Sequence, residues 1–198
     1  GASALGGTLT CILGEVPLNG SSPTAQVAYN WAGPNGYVSA DQNPVVSQEG
    51  SYNLVVTDSN NGCTSTAIAN VGRNTTPPVA SYTTPGNLNC NTAQLQLDGS
   101  TSSQGVNIHY AWTTPNGNIT SGENTATPFV NQAGTYTLLV SNTENGCTAS
   151  ASATVAQSPV LTSSIVAQSN ATCNGANNGM AAISAAGGNN TYTYLWSN

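Results

Sequence analysis

Five cysteines, one histidine and seven carboxylates are the residues of this 198-residue chain that could do chemistry. The cysteines stand at 11, 63, 90, 147 and 173, and no two form the Cys-x-x-Cys spacing of a zinc site. His109 lies in Ile108-His109-Tyr110-Ala111-Trp112, out of phase with the apolar residues, so it is expected to face solvent. A serine–histidine–acid system would have to use it, and no Gly-x-Ser-x-Gly elbow accompanies it. The carboxylates are scattered: Glu15, Glu49 and Glu144 align with Gln94, Ala133 and Asn60 of the neighbouring repeat, so no acid–base pair recurs. Asp41, Asp58 and Asp98 are the candidates for a loop calcium, yet no Asp-x-Asp-x-Asp-Gly run is present, and solvated turns are the plainer reading. The glycines of 175–179 and 187–188 read as hairpin turns rather than a phosphate cradle. The expectation is a chain with no catalytic residue, no metal and no cofactor.

Composition agrees. Lys plus Arg total one, Arg73, and the formal charge is −6. One cation cannot replace the counterions of nucleic acid or anionic lipid. No apolar run approaches the ~20 residues that span a bilayer, so neither nucleic acid nor membrane insertion is expected. Polarity comes from 26 Asn, 26 Thr and 22 Ser, while 38% of the chain is hydrophobic in short pieces, enough for folded cores. The chain opens at Gly1 and stops at Asn198 without the look of a natural terminus, so targeting signals are expected outside it.

An internal repeat of about 80 residues organises the rest. Leu9-Thr10-Cys11 aligns with Leu88-Asn89-Cys90, and Asn19-Gly20-Ser21 with Asp98-Gly99-Ser100. Tyr29-Asn30-Trp31 aligns with Tyr110-Ala111-Trp112, and Gly50-Ser51-Tyr52 with Gly134-Thr135-Tyr136. Asn61-Gly62-Cys63-Thr64 then aligns with Asn145-Gly146-Cys147-Thr148. Alternation places Tyr29 and Trp31, Tyr110 and Trp112, and Tyr194 and Trp196 on inner faces, with Tyr52 and Tyr136 opening a second inner row. Trp31, Trp112, Trp196, Tyr29, Tyr110, Tyr52 and Tyr136 are therefore the expected core anchors. Tyr37 and Tyr82 are the better-exposed rings for sugar stacking. Helix signals are nearly absent, and seven Asn-Gly dipeptides supply turn chemistry.

The fold expected is all-β: tandem immunoglobulin-like (PKD-like) β-sandwiches of about seven strands each, over 1–76 and 77–157, with a truncated third unit over 158–198. Short Pro-containing linkers lie at 73–78 and 157–159. Each full repeat holds two cysteines, so the expected bridges are Cys11–Cys63 and Cys90–Cys147, each stabilising by roughly 4 kcal/mol. Cys173 is expected to pair beyond Asn198. Disulfides place the chain in an oxidising, extracellular compartment. The cysteine placement departs from the antibody pattern, in which the second cysteine lies two residues after the tyrosine. The absence of lysine excludes a Lys–Asn isopeptide crosslink.

Residues 170–198, from Asn170-Ala171-Thr172-Cys173-Asn174-Gly175 to Tyr192-Thr193-Tyr194-Leu195-Trp196, resemble the opening half of the SprB-type repeat of giant surface adhesins in gliding bacteria that use type IX secretion. The two full units, with Pro-Asn-Gly after the Trp, Gly-x-Tyr and Asn-Gly-Cys-Thr, look like the PKD- and immunoglobulin-like repeats that accompany it. Neither has the Trp-Asp-x-Gly-Asp-Gly core of true PKD domains, and unit two carries one extra residue between the Trp and Pro-Asn-Gly. The resemblance implies a long adhesin or surface filament, with export and attachment machinery as partners and no catalytic residues. Surface polysaccharide or neighbouring copies of the chain are the other expected partners. The alternatives are a carbohydrate-binding module and the spacer repeats of a secreted multidomain enzyme.

Overall fold

The computed structural model describes residues 1–83, 86–188 and 190–197. Asn189 and Asn198, both within the SprB-like stretch, lie outside them. The described residues are almost entirely strand and turn, with one short 3-10 turn at Pro34–Gly36. They group into two compact units. The first takes in Gly1–Pro78 with Gly105–His109 and Ser141–Ala149; the second holds the remainder.

In the first unit the strands are β1 (Ser3–Leu5), β2 (Thr8–Thr10), β3 (Val16–Pro17), β4 (Asn19–Ser21), β5 (Val27–Ala32), β6 (Val38–Ser39), β7 (Val45–Val46), β8 (Gly50–Asp58) and β9 (Thr64–Asn74). One sheet runs β2-β9-β8-β5-β6; β1-β4 and β3-β7 make the opposing layer. The nine pieces correspond to about seven strands, because β1 and β2, and β3 and β4, are interrupted halves. Gly6 sits at the first interruption, where a Cβ would fall 2.1 Å from the Asn70 carbonyl oxygen, so only glycine lets the chain pass there. Beyond it β2 runs parallel to β9, with Leu9 opposite Arg73 and Thr10 opposite Asn74.

Alternation sets the core. Trp31 pairs with Leu54, and Leu54 with Ala67, giving one inward row across three strands. Trp31, Tyr52, Leu54, Val56, Ala69 and Val71 are buried with Leu9, Val16, Leu18 and Val46, while Ala28, Asn30, Ile68 and Asn70 face outward. The Trp31 indole donates to the Gln42 carbonyl at 3.3 Å. The Tyr52 hydroxyl reaches back to the Gln48 carbonyl at 2.9 Å, the tyrosine corner of immunoglobulin-type sandwiches. Leu54, two residues after that tyrosine, fills the site where antibody domains carry the second cysteine.

The second repeat uses the same devices. Its strands are β10 (Leu95–Gln96), β11 (Ile108–Thr113), β12 (Ile119–Ser121), β13 (Phe129–Val130), β14 (Gly134–Asn142) and β15 (Thr148–Val155), in sheets β10-β13-β12 and β11-β14-β15. Leu88 bridges Gln157 in parallel, as Leu9 does Arg73. Trp112 donates to the Thr125 carbonyl at 3.1 Å, and the Tyr136 hydroxyl donates to the Gln132 carbonyl four residues upstream. Both rings are buried, with Leu138 and Val140. Tyr29 and Tyr110 are half-buried, Tyr110 donating to the Ser103 carbonyl at 2.8 Å. The chain is thus an all-β tandem of immunoglobulin-like sandwiches.

Beyond Pro159, β16 (Thr162–Ser169) and β17 (Met180–Ala186) form a two-stranded antiparallel hairpin. Trp196 corrects the expectation made for it: it is 57% exposed and lies outside any strand, so it anchors no core. Among the described residues after Pro159 the hairpin is the only sheet, and one layer alone cannot bury an indole.

Candidate functional site

A hairpin tip and a short loop, both within the first compact unit, meet in a junction. Its tip joins β14 to β15. The Asn142 N–H donates to the Cys147 carbonyl at 2.9 Å, and the Gly146 N–H to the Asn142 carbonyl at 2.8 Å. Two side chains lock the curve: Asn142 Oδ1 accepts from the Glu144 N–H and Asn145 Oδ1 from the Cys147 N–H, each at 2.9 Å. Gly146 takes φ +68°, the left-handed region that explains Asn-Gly here.

The loop follows β2. The Thr10 N–H donates to the Leu13 carbonyl at 2.9 Å, which presents Cys11 at the corner of a tight turn. Cys11 forms a disulfide with Cys147, across a sequence separation of 136 residues and a Cα–Cα distance of 5.0 Å. The Cys11 N–H also donates to the Asn145 carbonyl at 3.0 Å. Asn145 Nδ2 donates to Asn74 Oδ1 at 2.9 Å and to the Thr76 carbonyl at 3.0 Å. Asn145 is only 1% exposed, and all its polar atoms but the backbone N–H have partners among these bonds. A buried amide left unpartnered would cost ~1–3 kcal/mol, so this satisfaction is what permits its burial. Ile12 closes the site: a Cβ on Gly146 would fall 2.7 Å from its Cγ2.

This geometry corrects both expected bridges. Cys11 does not pair with Cys63, nor Cys90 with Cys147; Cys63 and Cys90 are free and exposed, as is Cys173. The reason lies in strand direction. Because β2 runs parallel to the far end of β9, Cys11 sits beside Thr75, its disulfide sulfur 3.8 Å from that carbonyl oxygen, whereas Cys63 precedes the first residue of β9. Eleven residues at about 3.3 Å each hold Cys63 roughly 35 Å from Cys11, far beyond the ~7 Å Cα limit of a disulfide. The Leu88–Gln157 bridge imposes the same geometry on the second repeat. The sequence shows Asn145 only as part of the Asn-Gly-Cys-Thr segment shared by both repeats and as one Asn-Gly among seven, with nothing local to assign it a buried role.

The other candidates do not converge. His109 is exposed. Asp41, Asp58 and Asp98 accept or exchange hydrogen bonds in three separate turns, with Ser39, Asn60 and Ser100. Among the described residues no three His, Cys, Asp or Glu side chains gather as for a metal. Tyr37 is half-buried, its ring edge-on to Tyr52 at 5.5 Å, and Tyr82 is half-buried. Arg73 meets Glu49 at 3.4 Å on the surface, a pair worth ~0–1 kcal/mol. Tyr192, Tyr194 and Trp196 line an open groove beside Leu161 and Ile183.

The β16–β17 hairpin and the residues after it carry the family signal. Residues 165–198 match the SprB repeat model. The SprB match begins within β16 and takes in Cys173 and Trp196. It implies a cell-surface protein, and no helix among the described residues is long and apolar enough to cross a membrane. No curated protein sequence matches the chain. Among solved structures, the chain is similar to the three N-terminal domains of the bacteriophage RB49 highly immunogenic outer capsid protein, with 13% identity and TM-score 0.44 over 94% of this chain and 70% of that one. An I-band fragment of titin gives 13% identity and TM-score 0.40 over 79% and 63%. Murine CEACAM1b gives 11% and 0.34 over 78% and 98%. Tandem immunoglobulin-like sandwiches followed by a SprB repeat match make this a structural repeat segment.

Proposed function

We propose that this chain is a non-catalytic stalk segment of a large extracellular adhesin or surface filament. The observation that carries the reading is the Cys11–Cys147 bond, which links one sequence repeat covalently to the next. Tension applied at the ends follows the shortest covalent path, so it passes from Cys11 to Cys147 and bypasses the residues between them. The strands between the two cysteines, which build most of both cores, are then shielded from that load. Charge-poor surfaces rich in Asn, Thr and Ser suit broad, weak contacts with polysaccharide or with neighbouring copies, and a single basic residue leaves trypsin-like proteases one point of attack. Oxidation of the two thiols to this bridge needs an oxidising compartment outside the cytoplasm, in keeping with export by the machinery that the SprB resemblance implies.

An antibody raised against the chain tests this reading on the cells that make it. It is expected to label intact cells and to lower their attachment to surfaces. Labelling that appears only after lysis would contradict it. Binding on a glycan array that is lost in Trp196→Ala would instead favour a carbohydrate-binding module, with the exposed aromatic groove as its platform.

A further inference from the structure

Each half of the junction just described exists once more, unjoined. One half is the loop after the parallel edge strand. In the first repeat the Thr10 N–H bonds to the Leu13 carbonyl at 2.9 Å around Cys11; in the second the Asn89 N–H bonds to the Thr92 carbonyl at 3.0 Å around Cys90. Leu9 opposite Arg73 and Leu88 opposite Gln157 anchor these loops in the same register. The other half is the hairpin tip. The Asp58 N–H bonds to the Cys63 carbonyl and the Gly62 N–H to the Asp58 carbonyl, both at 2.8 Å, and Asn61 Oδ1 accepts from the Cys63 N–H at 2.9 Å. That is the bonding pattern of the Cys147 tip, down to the left-handed glycine, φ +73° at Gly62.

What differs is occupancy. Asn145 is buried and its glycine neighbour is packed by Ile12, whereas Asn61 is exposed and a Cβ on Gly62 would meet nothing within 4 Å. Cys63 and Cys90 are exposed thiols in the conformations that, at Cys147 and Cys11, make a bond.

We propose that Cys63 and Cys90 are the open tip and the open loop of one directional junction, and that Cys90 takes the Asn-Gly-Cys tip of another copy of this repeat. The rule is loop cysteine to the tip cysteine of the following repeat, never loop to loop or tip to tip. The inference stands on the internal repeat and the observed bond, independently of the adhesin reading. In a buffer of oxidised and reduced glutathione the chemistry balances. The Cys63 thiol loses its proton and its thiolate attacks the glutathione disulfide, releasing one glutathione thiolate. The Cys90 thiolate of a second chain then displaces the other, forming the Cys63–Cys90 bond. Two thiols are oxidised, one glutathione disulfide is reduced to two glutathione thiols, and two protons pass through the buffer.

The test uses the full chain with Cys173→Ser, which removes the third exposed thiol. In the glutathione buffer it is expected to give a ladder of disulfide-linked multimers on a non-reducing gel. Adding Cys63→Ser or Cys90→Ser should abolish the ladder and leave monomers. Mixing those two variants restores one tip and one loop, so the mixture should yield a heterodimer and nothing larger. Homodimers from either variant alone would overturn the directional rule. A mixture that stays monomeric while maleimide labels both thiols would overturn the proposal as a whole.

Discussion

Cys11 and Cys147 lie 136 residues apart in the chain and 5.0 Å apart at their Cα atoms. Closing so long a loop removes about 5 kcal/mol of unfolded-chain entropy in the chain-entropy model. Cys11→Ala and Cys147→Ala should each lower stability by ~3–5 kcal/mol. The double variant should cost no more than the larger single one, because one bond is lost in all three. Urea unfolding checks this; a double variant equal to the sum of the singles would mean that the cysteines act separately.

Asn145 and Asn61 make a matched pair in which docking is the variable. Asn145→Ala removes the donor to Asn74 and Thr76 from a buried site and should cost ~1–3 kcal/mol. Asn61→Ala removes only a local turn bond at an exposed tip, and should cost under about 1 kcal/mol. Denaturation midpoints of the two variants decide it, and equal losses would contradict the junction's role.

Gly20 and Gly99 hold the same place in the two repeats, each facing a tryptophan and a leucine of its core. A Cβ on Gly20 would fall 2.9 Å from Trp31 Cζ2 and 3.1 Å from Leu54 Cδ2; on Gly99, 3.0 Å from Leu138 Cδ2 and 3.3 Å from Trp112 Cζ2. Gly20→Ala and Gly99→Ala should each destabilise by ~1–3 kcal/mol through overpacking. Gly14→Ala, with nothing within 4 Å and no positive φ, should stay within about 0.5 kcal/mol and serves as the control. Thermal melts of the three variants give the comparison.

Asp98 provides a pH signature. The Ser100 hydroxyl and Ser100 N–H hold its carboxyl below the usual range, with a smaller contribution from the Thr83 hydroxyl, against a desolvation that opposes them. A depressed folded-state value means a stabilisation fully present above the ordinary carboxylate pKa near 3.9 and lost as pH falls through the folded value. Carbon-detected NMR titration of Asp98 should show its midpoint rising toward the ordinary value in Ser100→Ala. An unchanged midpoint would rule out the hydroxyl as the main cause.

Much of the fold was legible in the sequence because alternation is local physics. Cys147, Ala149, Ala151, Ala153 and Val155 turn inward and Thr148, Ser150, Ser152 and Thr154 outward, as period two requires. Trp31 and Trp112 are buried for the same reason. The cysteine pairing was not legible, because it depends on the direction of β2 relative to β9, which the spacing of residues along the chain does not encode. Two cysteines per repeat suggested one bridge per repeat, and the parallel edge strand carries Cys11 to the wrong end of the sandwich for Cys63. Trp196 shares the Tyr-x-Trp pattern of Tyr29 to Trp31, but among the described residues only one layer stands beside it, and alternation alone does not bury a ring.

Arg73, the single basic residue, lies between Cys63 and Cys90, and this makes the central claim testable with one protease. The oxidised chain is unfolded in urea, its free thiols are alkylated, trypsin cuts after Arg73, and the product is weighed without reduction. The Cys11–Cys147 bond predicts one species, both fragments joined and three cysteines alkylated, that separates only on adding reductant. Two separate fragments, with Cys173 the sole alkylated cysteine, would mean that bridges form within each repeat, and would contradict the junction.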